Sequence, residues 1–487
     1  MKTLKLFTIF LFIISLSLQA QKTKAKPVDP SLIKQEMIGS LNSQYDYYKE
    51  RALKIWEYAE IGYKEEKSTS LLQQTLKDNG FSIETGVAEI PTAFVATYGS
   101  GSPVIGILAE FDALPGLSQT NKPEKEINKN VNAGHSCGHH LFGVASVAAG
   151  IELKKMMEQK KITGTIKVYG TPAEEGGAGK VYMARAGLFD KVDVVLHWHP
   201  GDGNSANAAS SLANMSAKFR FYGASAHAAG APEKGRSALD AVEAMNNMVN
   251  MMREHVTQET RIHYVITRGG SAPNVVPDFA EVYYYSRHPD RAEVASVFER
   301  IVNTAKGAAL GTDTRMEYEI TGGVYNLLPL ESLAKIMYAN LTTVGGVTYT
   351  EEENIYAKKI QSSFVSTVKP AIDKSTTIDP FKNEGRSGGS TDVGDVSWVV
   401  PTVGLRVATW VPGTAAHSWQ AVASGGTEIG TKGMMVAAKT LALTGYDLFT
   451  NTKQITEAKA EWIKARGEKF IYKSLIGDRK PALNYRD

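Results

Sequence analysis

One cysteine, Cys137, stands in 487 residues, so no intramolecular disulfide is available and the fold rests on its core alone. The chain also lacks a strong charge of either sign. A formal charge of +3, with basic residues scattered rather than striped, excludes nucleic acid as a partner class. Beyond the first twenty residues there is no apolar run near the ~20 that a membrane helix needs. There is no internal repeat and no low-complexity tract. An apolar fraction of 43% and a charged fraction of 22% are those of an ordinary globular chain, and this length predicts two domains.

Lys2 and Lys5 precede an apolar run from Leu6 to Leu18, followed by small and polar residues. This reads as a signal peptide, residues 1–20, cut after Ala20, which predicts an exported, periplasmic or secreted protein with no stable membrane anchor after cleavage. A retained N-terminal anchor is the alternative. Residues 21–30 form a polar linker.

From Ser31 to Ala59, Ile33, Met37, Leu41, Tyr45, Tyr48, Ala52 and Ile55 recur at near-helical spacing. Strands at 104–109, 165–169 and 193–198 then alternate with helices at 141–158 and 177–186, the pattern of a mostly parallel sheet wrapped by helices. Between about 217 and 322 the order changes to βαββαβ, a split βαβ sandwich. Met245, Met248 and Met252 read as the core stripe of its first helix. Afterwards the α/β rhythm resumes, with a strand at 403–409 and helices at 427–443 and 455–472. The expected fold is therefore α/β, a catalytic α/β/α domain (31–213 and 325–487) interrupted by an α+β ferredoxin-like unit (214–324).

Six of the ten histidines lie in three short segments, each at a strand end or in a glycine-rich loop, where open α/β sheets bind ligands. AGHSCGHHLFG carries His135, Cys137, His139 and His140 ahead of a helix. Thiolate and imidazole two residues apart can face one ion in an extended loop. Alone, Cys137 reads as a buried, inert thiol, and the three histidines around it reverse that. TPAEEGGAG offers Glu174 and Glu175, which can divide the work of binding metal and facing a reacting water. By themselves they read as acids at a helix N-terminus. VVLHWHP carries His197 and His199 on the same strand face, so periodicity does not choose between them. GTAAHSWQ places His417 in a loop.

The CGH, EE, HP, AHAA, NVVPD and AHSWQ segments occur in the order of the M20 metallopeptidases. Over nearly the whole mature chain the sequence resembles the amidohydrolase branch of that family, which includes hippurate and auxin-conjugate hydrolases. EFDALPGLSQ, TPAEEGGAGK, HWHP and STDVGDVSW most resemble its p-aminobenzoyl-glutamate hydrolase group. The resemblance implies that Cys137, His139, Glu175, His199 and His417 bind two divalent metal ions (zinc, manganese, cobalt or nickel), with Glu174 as general base. Asp112, His140 and His197 are then expected behind the ligands. His140 departs from the Asp or Asn of many members, and Glu110 with Asp112 replaces the paired acids others have upstream.

The same resemblance makes the inserted unit a lid and dimerisation domain. It implies that His227 reaches a neighbouring subunit's site, and that Asn274 and Arg287 hold a substrate carboxylate. As residues alone, Asn274 reads as a turn asparagine and Arg287 as a surface ion-pair partner. The expected activity is hydrolysis of the amide bond of an N-acyl or N-aroyl amino acid by a homodimer, or with a paralogous partner subunit. Two alternatives stand beside it: a dipeptidase or carboxypeptidase of the same family, and a non-catalytic metal-binding partner subunit. An intact Glu174 argues against the last.

Overall fold

The computed structural model describes residues 30–383, 385 and 388–486. The expected signal peptide, and the linker as far as residue 29, lie outside the described residues. Pro30 opens the first helix, Pro30–Ser43, where a missing N–H costs nothing. The stretch of near-helical spacing from Ser31 to Ala59 forms two helices, because Gln44 leaves helical geometry before Tyr45–Tyr58 begins. Just ahead of that break, Ser43 Oγ donates to the Ser40 carbonyl and competes with the backbone ladder.

Strands β1 (Ser82–Thr85), β2 (Phe94–Ser100) and β3 (Val104–Ala109) come first, and β4 (Leu114–Pro115) pairs with β5 (Ala133–Gly134) in a short ladder. With β6 (Gly164–Gly170), β7 (Val194–Gly201) and β12 (Thr402–Ala408), the larger sheet has the order β1-β2-β6-β3-β7-β12. The β6-β3, β3-β7 and β7-β12 pairs are parallel, and β1-β2 and β2-β6 are antiparallel. VIGILA in β3 is almost wholly buried, as a parallel strand covered on both faces must be. Helices His139–Lys160 and Glu428–Thr450 pack on this sheet and on each other. The carboxyl ends of β3, β6, β7 and β12 therefore open side by side.

A second sheet has its own core. Strands β8 (Ala213–Tyr222), β9 (Arg261–Arg268), β10 (Phe279–His288) and β11 (Arg315–Val324) run antiparallel in the order β11-β8-β10-β9. That is the βαββαβ ferredoxin-like arrangement, completed by helices Ala238–Met252 and Arg291–Gly311. Both helices start on a side-chain cap, Ser237 accepting from Asp240 N and Asp290 from Ala292 N, each contributing about 1 kcal/mol. Met245 and Met252 are buried with Phe219, Phe221 and Tyr284, while Met248 packs at the margin.

The helix expected over 455–472 spans Thr452–Arg466 instead, because Gly467 turns the chain at φ +89°. From there the chain doubles back. The Tyr325 hydroxyl donates to the Lys473 carbonyl, Arg479 donates to the Thr321 carbonyl beside β11, and the Tyr485 hydroxyl reaches the Glu175 carbonyl beyond β6.

Candidate metal centre

Four separate segments converge at the carboxyl edge of the larger sheet. After β5, Gly138 takes φ +74° and sits against Pro200, where a Cβ would lie 2.7 Å from the proline ring. That tight turn presents Cys137 on one side and starts the helix with His139 on the other. After β6, Ala173 adopts φ +58°, unusual for a residue with a side chain, and throws Glu174 and Glu175 into the cleft. Its N–H is held by the buried Glu65 carboxylate at 2.8 Å. His417 also has φ +58°, and its N–H donates to the Ser136 carbonyl at 3.0 Å, which locks the loop after β12 against the Cys137 turn. Left-handed backbone at two such non-glycine positions is local strain of the kind that clusters at functional sites.

Donor atoms gather in overlapping groups, all within 4.8 Å of one another inside each group: Cys137, His139 and His199; Cys137, Glu175 and His417; and His139, Glu174 and Glu175. Cys137 belongs to the first two. His199 Nδ1 lies 2.7 Å from the Pro200 carbonyl, so it carries the proton there, and Nε2 turns its lone pair towards Cys137 Sγ at 3.4 Å. His139 Nδ1 donates to Asp112 Oδ1 at 2.9 Å, the carboxylate–histidine pairing that orients a metal-binding imidazole. Asp112 Oδ2 accepts from the Glu175 N–H at 2.9 Å, so one carboxylate steadies two of the donors.

These residues suit a pair of cations. His139 Nε2 and Glu110 Oε2 are 3.1 Å apart, and His417 Nε2 and Glu175 Oε1 are also 3.1 Å apart. Yet among the described residues His139 Nε2, Glu110 Oε2 and Glu175 Oε1 are buried with no aligned hydrogen bond. Atoms that crowd together without pairing as donor and acceptor point at common positions, as ligands do. Burial pushes the Cys137 thiol up to about 12, so only a bound cation would hold it as thiolate. Burial, then the charges of Glu110, Glu175 and Asp392, push the Glu174 carboxyl well above the usual carboxylate range. So much negative charge in one place requires compensating positive charge.

Part of that compensation is Lys180, which the sequence reading did not single out. It is fully buried, and its Nζ lies 2.7 Å from Glu110 Oε1 and 2.7 Å from Asp392 Oδ1. Burial opposes its charge, but Asp392 and Glu110 more than offset that and hold it protonated. The only hint was a lysine and an aspartate inside the TPAEEGGAGK and STDVGDVSW segments. Lys180→Met should destabilise the protein by roughly 3–5 kcal/mol, because two buried carboxylates lose their partner. A thermal or denaturant melt of the variant checks this, and an unchanged midpoint would show that the cluster is not held by the lysine.

The cavity over these groups measures about 1000 Å³ and is lined by Cys137, Glu174, Glu175, His199, Arg287 and His417, among others. His197 also lines it, but its ring rests on Gly404, where a Cβ would come within 2.3 Å, and its Nε2 has no hydrogen-bond partner among the described residues. It joins none of the donor groups. His140 turns away, Nε2 donating to the Gly425 carbonyl at 3.0 Å. Arg287 lies over the Tyr285 ring at 5.6 Å, and its buried Nε has no hydrogen-bond partner among the described residues. The single chain does not bring His227 or Asn274 to the cavity. His227 is exposed, its Nδ1 accepting the N–H groups of Ala229 and Gly230, and Asn274 is exposed in the facing loop.

Residues 212–313 match the peptidase dimerisation domain of the M20 family. Over 445 residues, 85% of this chain and 91% of the relative, the sequence is 38% identical to a subunit of the p-aminobenzoyl-glutamate hydrolase of Escherichia coli (strain K12). The chain belongs to the M20 family of metallopeptidases. This M20 chain is also 30% identical to the Xaa-Arg dipeptidase of Mus musculus, over 81% of its length and 84% of the relative. Among solved structures, its fold is similar to the aminobenzoyl-glutamate utilization protein of Klebsiella pneumoniae (TM-score 0.58, 19% identity, 86% of this chain and 98% of that one). It is similar as well to the Bacillus subtilis YXEP protein, a dinuclear metal-binding peptidase from the M20 family (TM-score 0.55, 16% identity, 84% and 99%). The M20 chain is thus a metal-dependent hydrolase of amide bonds, built on the mixed α/β fold and inserted dimerisation unit that its sequence suggests.

Proposed function

We propose that this chain hydrolyses the amide bond of an N-acyl or N-aroyl amino acid, of the p-aminobenzoyl-glutamate or aminoacylase type, with Glu174 as general base. The observation that carries the reading is that Glu174 shares one cavity with Cys137, Glu175, His199 and His417, and its carboxylate lies in one donor group with Glu175 and His139. Two divalent ions (zinc, manganese, cobalt or nickel) held by Cys137, His139, Glu175, His199 and His417 would supply Lewis acidity and lower the pKa of an attacking water from about 16 towards about 7. Glu174 takes the proton of that water and later delivers it to the leaving nitrogen. Arg287 orients the substrate carboxylate from the cavity wall. His227, exposed on the inserted unit, donates to the developing oxyanion in a second subunit, with Asn274 beside the substrate. On this reading residues 214–324 form a lid and dimerisation domain between catalytic segments 31–213 and 325–487, and residues 1–20 direct export to the periplasm or medium.

A second reading, dipeptidase, is favoured by the 30% identity to an Xaa-Arg dipeptidase. Assaying metal-loaded protein with hippurate, p-aminobenzoyl-glutamate and free-amine dipeptides separates the two, with chelated protein as the control. The N-acyl substrates should turn over and the dipeptides should lag. Turnover of dipeptides alone would transfer the assignment to the second reading, and activity that survives chelation would remove both.

A further inference from the structure

The loop that carries Glu174 and Glu175 depends on its surroundings for its shape. Its backbone is left-handed at Ala173 (φ +58°), Gly176 (φ +96°) and Ala178 (φ +56°), and the two alanines meet a steric penalty that glycine escapes. Such backbone persists only where neighbouring groups over-determine it.

The neighbours come from distant stretches of chain. Glu65 accepts the Ala173 N–H at 2.8 Å, the Tyr63 hydroxyl donates to the Gly177 carbonyl at 2.7 Å, and Asp112 Oδ2 accepts the Glu175 N–H at 2.9 Å. On the other side of Glu175, Tyr485 Oη donates to its carbonyl at 3.0 Å, and Arg486 Nη2 donates to the same oxygen. Glu175 is therefore gripped through both peptide groups that flank its Cα. Peptide groups are planar, so holding the two of them sets φ and ψ at that carbon and with them the direction of the side chain. The carboxylate that gathers with Cys137 and His417 thus takes its aim from Asp112 on one side and Tyr485 on the other.

Tyr485 and Arg486 belong to the segment after the last helix, which is fastened elsewhere without them. Arg479 donates to the Thr321 carbonyl of β11 at 2.6 Å, Arg185 donates to the Gly477 carbonyl at 2.6 Å, and the Tyr182 hydroxyl donates to the Lys480 carbonyl at 3.3 Å. The Tyr485 ring rests edge-on against Tyr63 at 5.6 Å. Gly62 permits that approach, since a Cβ there would lie 2.3 Å from the Tyr485 hydroxyl. Removing the hydroxyl alone should leave both the ring and the segment in place.

We propose that Tyr485 is a positioning residue for the metal centre: its hydroxyl, seconded by Arg486, holds the Glu175 peptide so that the carboxylate meets the ion shared with Cys137 and His417. The proposal rests on the two-ion reading above and is independent of the substrate. It makes a tyrosine outside the set of donors act chiefly on one ion of the pair.

The test titrates zinc calorimetrically into metal-stripped wild type, Tyr485→Phe, Arg486→Gln and the double variant. Tyr182→Phe is the control, because it loosens the same segment without touching Glu175. Wild type should take up two ions in separate steps. In Tyr485→Phe one step should weaken by about 10–100-fold, the range for losing an outer hydrogen-bond partner of a ligand, and the other should change several-fold less. Arg486→Gln should weaken the same step to a smaller degree, and it stands in should Tyr485→Phe fail to fold. The double variant should lose more than either, and Tyr182→Phe should bind as the wild type does. Metal-free melting midpoints should match in wild type and Tyr485→Phe, while the rise that zinc produces should shrink in the variant. Unchanged steps in both single variants overturn the proposal. So does an equal loss in both steps, or a loss matched by Tyr182→Phe, since a general loosening would give either. If the wild type binds fewer than two ions, the two-ion reading fails and the remaining step decides: a weaker step in Tyr485→Phe upholds the proposal, and an equal or absent one overturns it.

Discussion

Glu174→Gln should reduce turnover of an N-acyl amino acid by about 10²–10⁴-fold or more while the protein keeps its metal, the range that loss of a general acid–base group produces. The substitution preserves shape and removes only the capacity to take a proton. It also relieves a crowded site, since Glu110, Glu175 and Asp392 all oppose a charge at this position. The variant should therefore fold at least as well as the wild type. The measurement pairs turnover with metal content, because the donor atoms of Glu174 also lie close to those of His139 and Glu175. A fall in bound metal that parallels the fall in rate would make Glu174 a ligand and displace it as the base.

Cys137→Ala should have the next largest effect, and on metal rather than on chemistry. Cys137 is the donor common to the group with His139 and His199 and the group with Glu175 and His417, so its loss weakens two positions together. Affinity should drop by more than the roughly 10–100-fold that loss of an outer hydrogen-bond partner costs. A ligand present at 100 times its Kd stabilises a fold by about 2.7 kcal/mol, so added metal should raise the melting temperature of the wild type and not that of Cys137→Ala. His417→Ala, which touches one group, should lie between them. A Cys137→Ala protein that retains two ions per chain and a metal-dependent melt would show that the thiol is a bystander.

Much of this arrangement is legible in the residues. Apolar runs such as VIGILA, bounded by turns, mark buried parallel strands, and the histidine and glutamate segments follow strand ends, where the sheet must bring them together. The methionine spacing at 245, 248 and 252 gives the core face of its helix directly. Helix limits were less legible, because Gln44 and Gly467 act through local hydrogen bonding and backbone freedom that periodicity does not register. His197 and His199 share a strand face, and what separates them is Gly404 on the neighbouring strand, together with the Pro200 carbonyl that fixes the imidazole of His199.

Lys180 was missed for a different reason. A lysine near the start of a helix reads as solvated until Glu110 and Asp392, from distant stretches of chain, are placed around it. Arg486, which lines the cavity and whose Nη2 donates to the Glu175 carbonyl, is harder still, since it lies more than 300 residues from Glu175 and carries no local signal of its own. His227 and Asn274 stand outside the cavity of one chain, and their proposed work requires a second.

Metal analysis of the purified protein, followed by anomalous diffraction at the absorption edge of the metal found, goes most directly to the centre of the account. Two ions per chain should appear, one beside His139 and His199, the other beside Glu175 and His417, with the sulfur of Cys137 next to both. A single ion, or a pair bound away from Cys137, would contradict it.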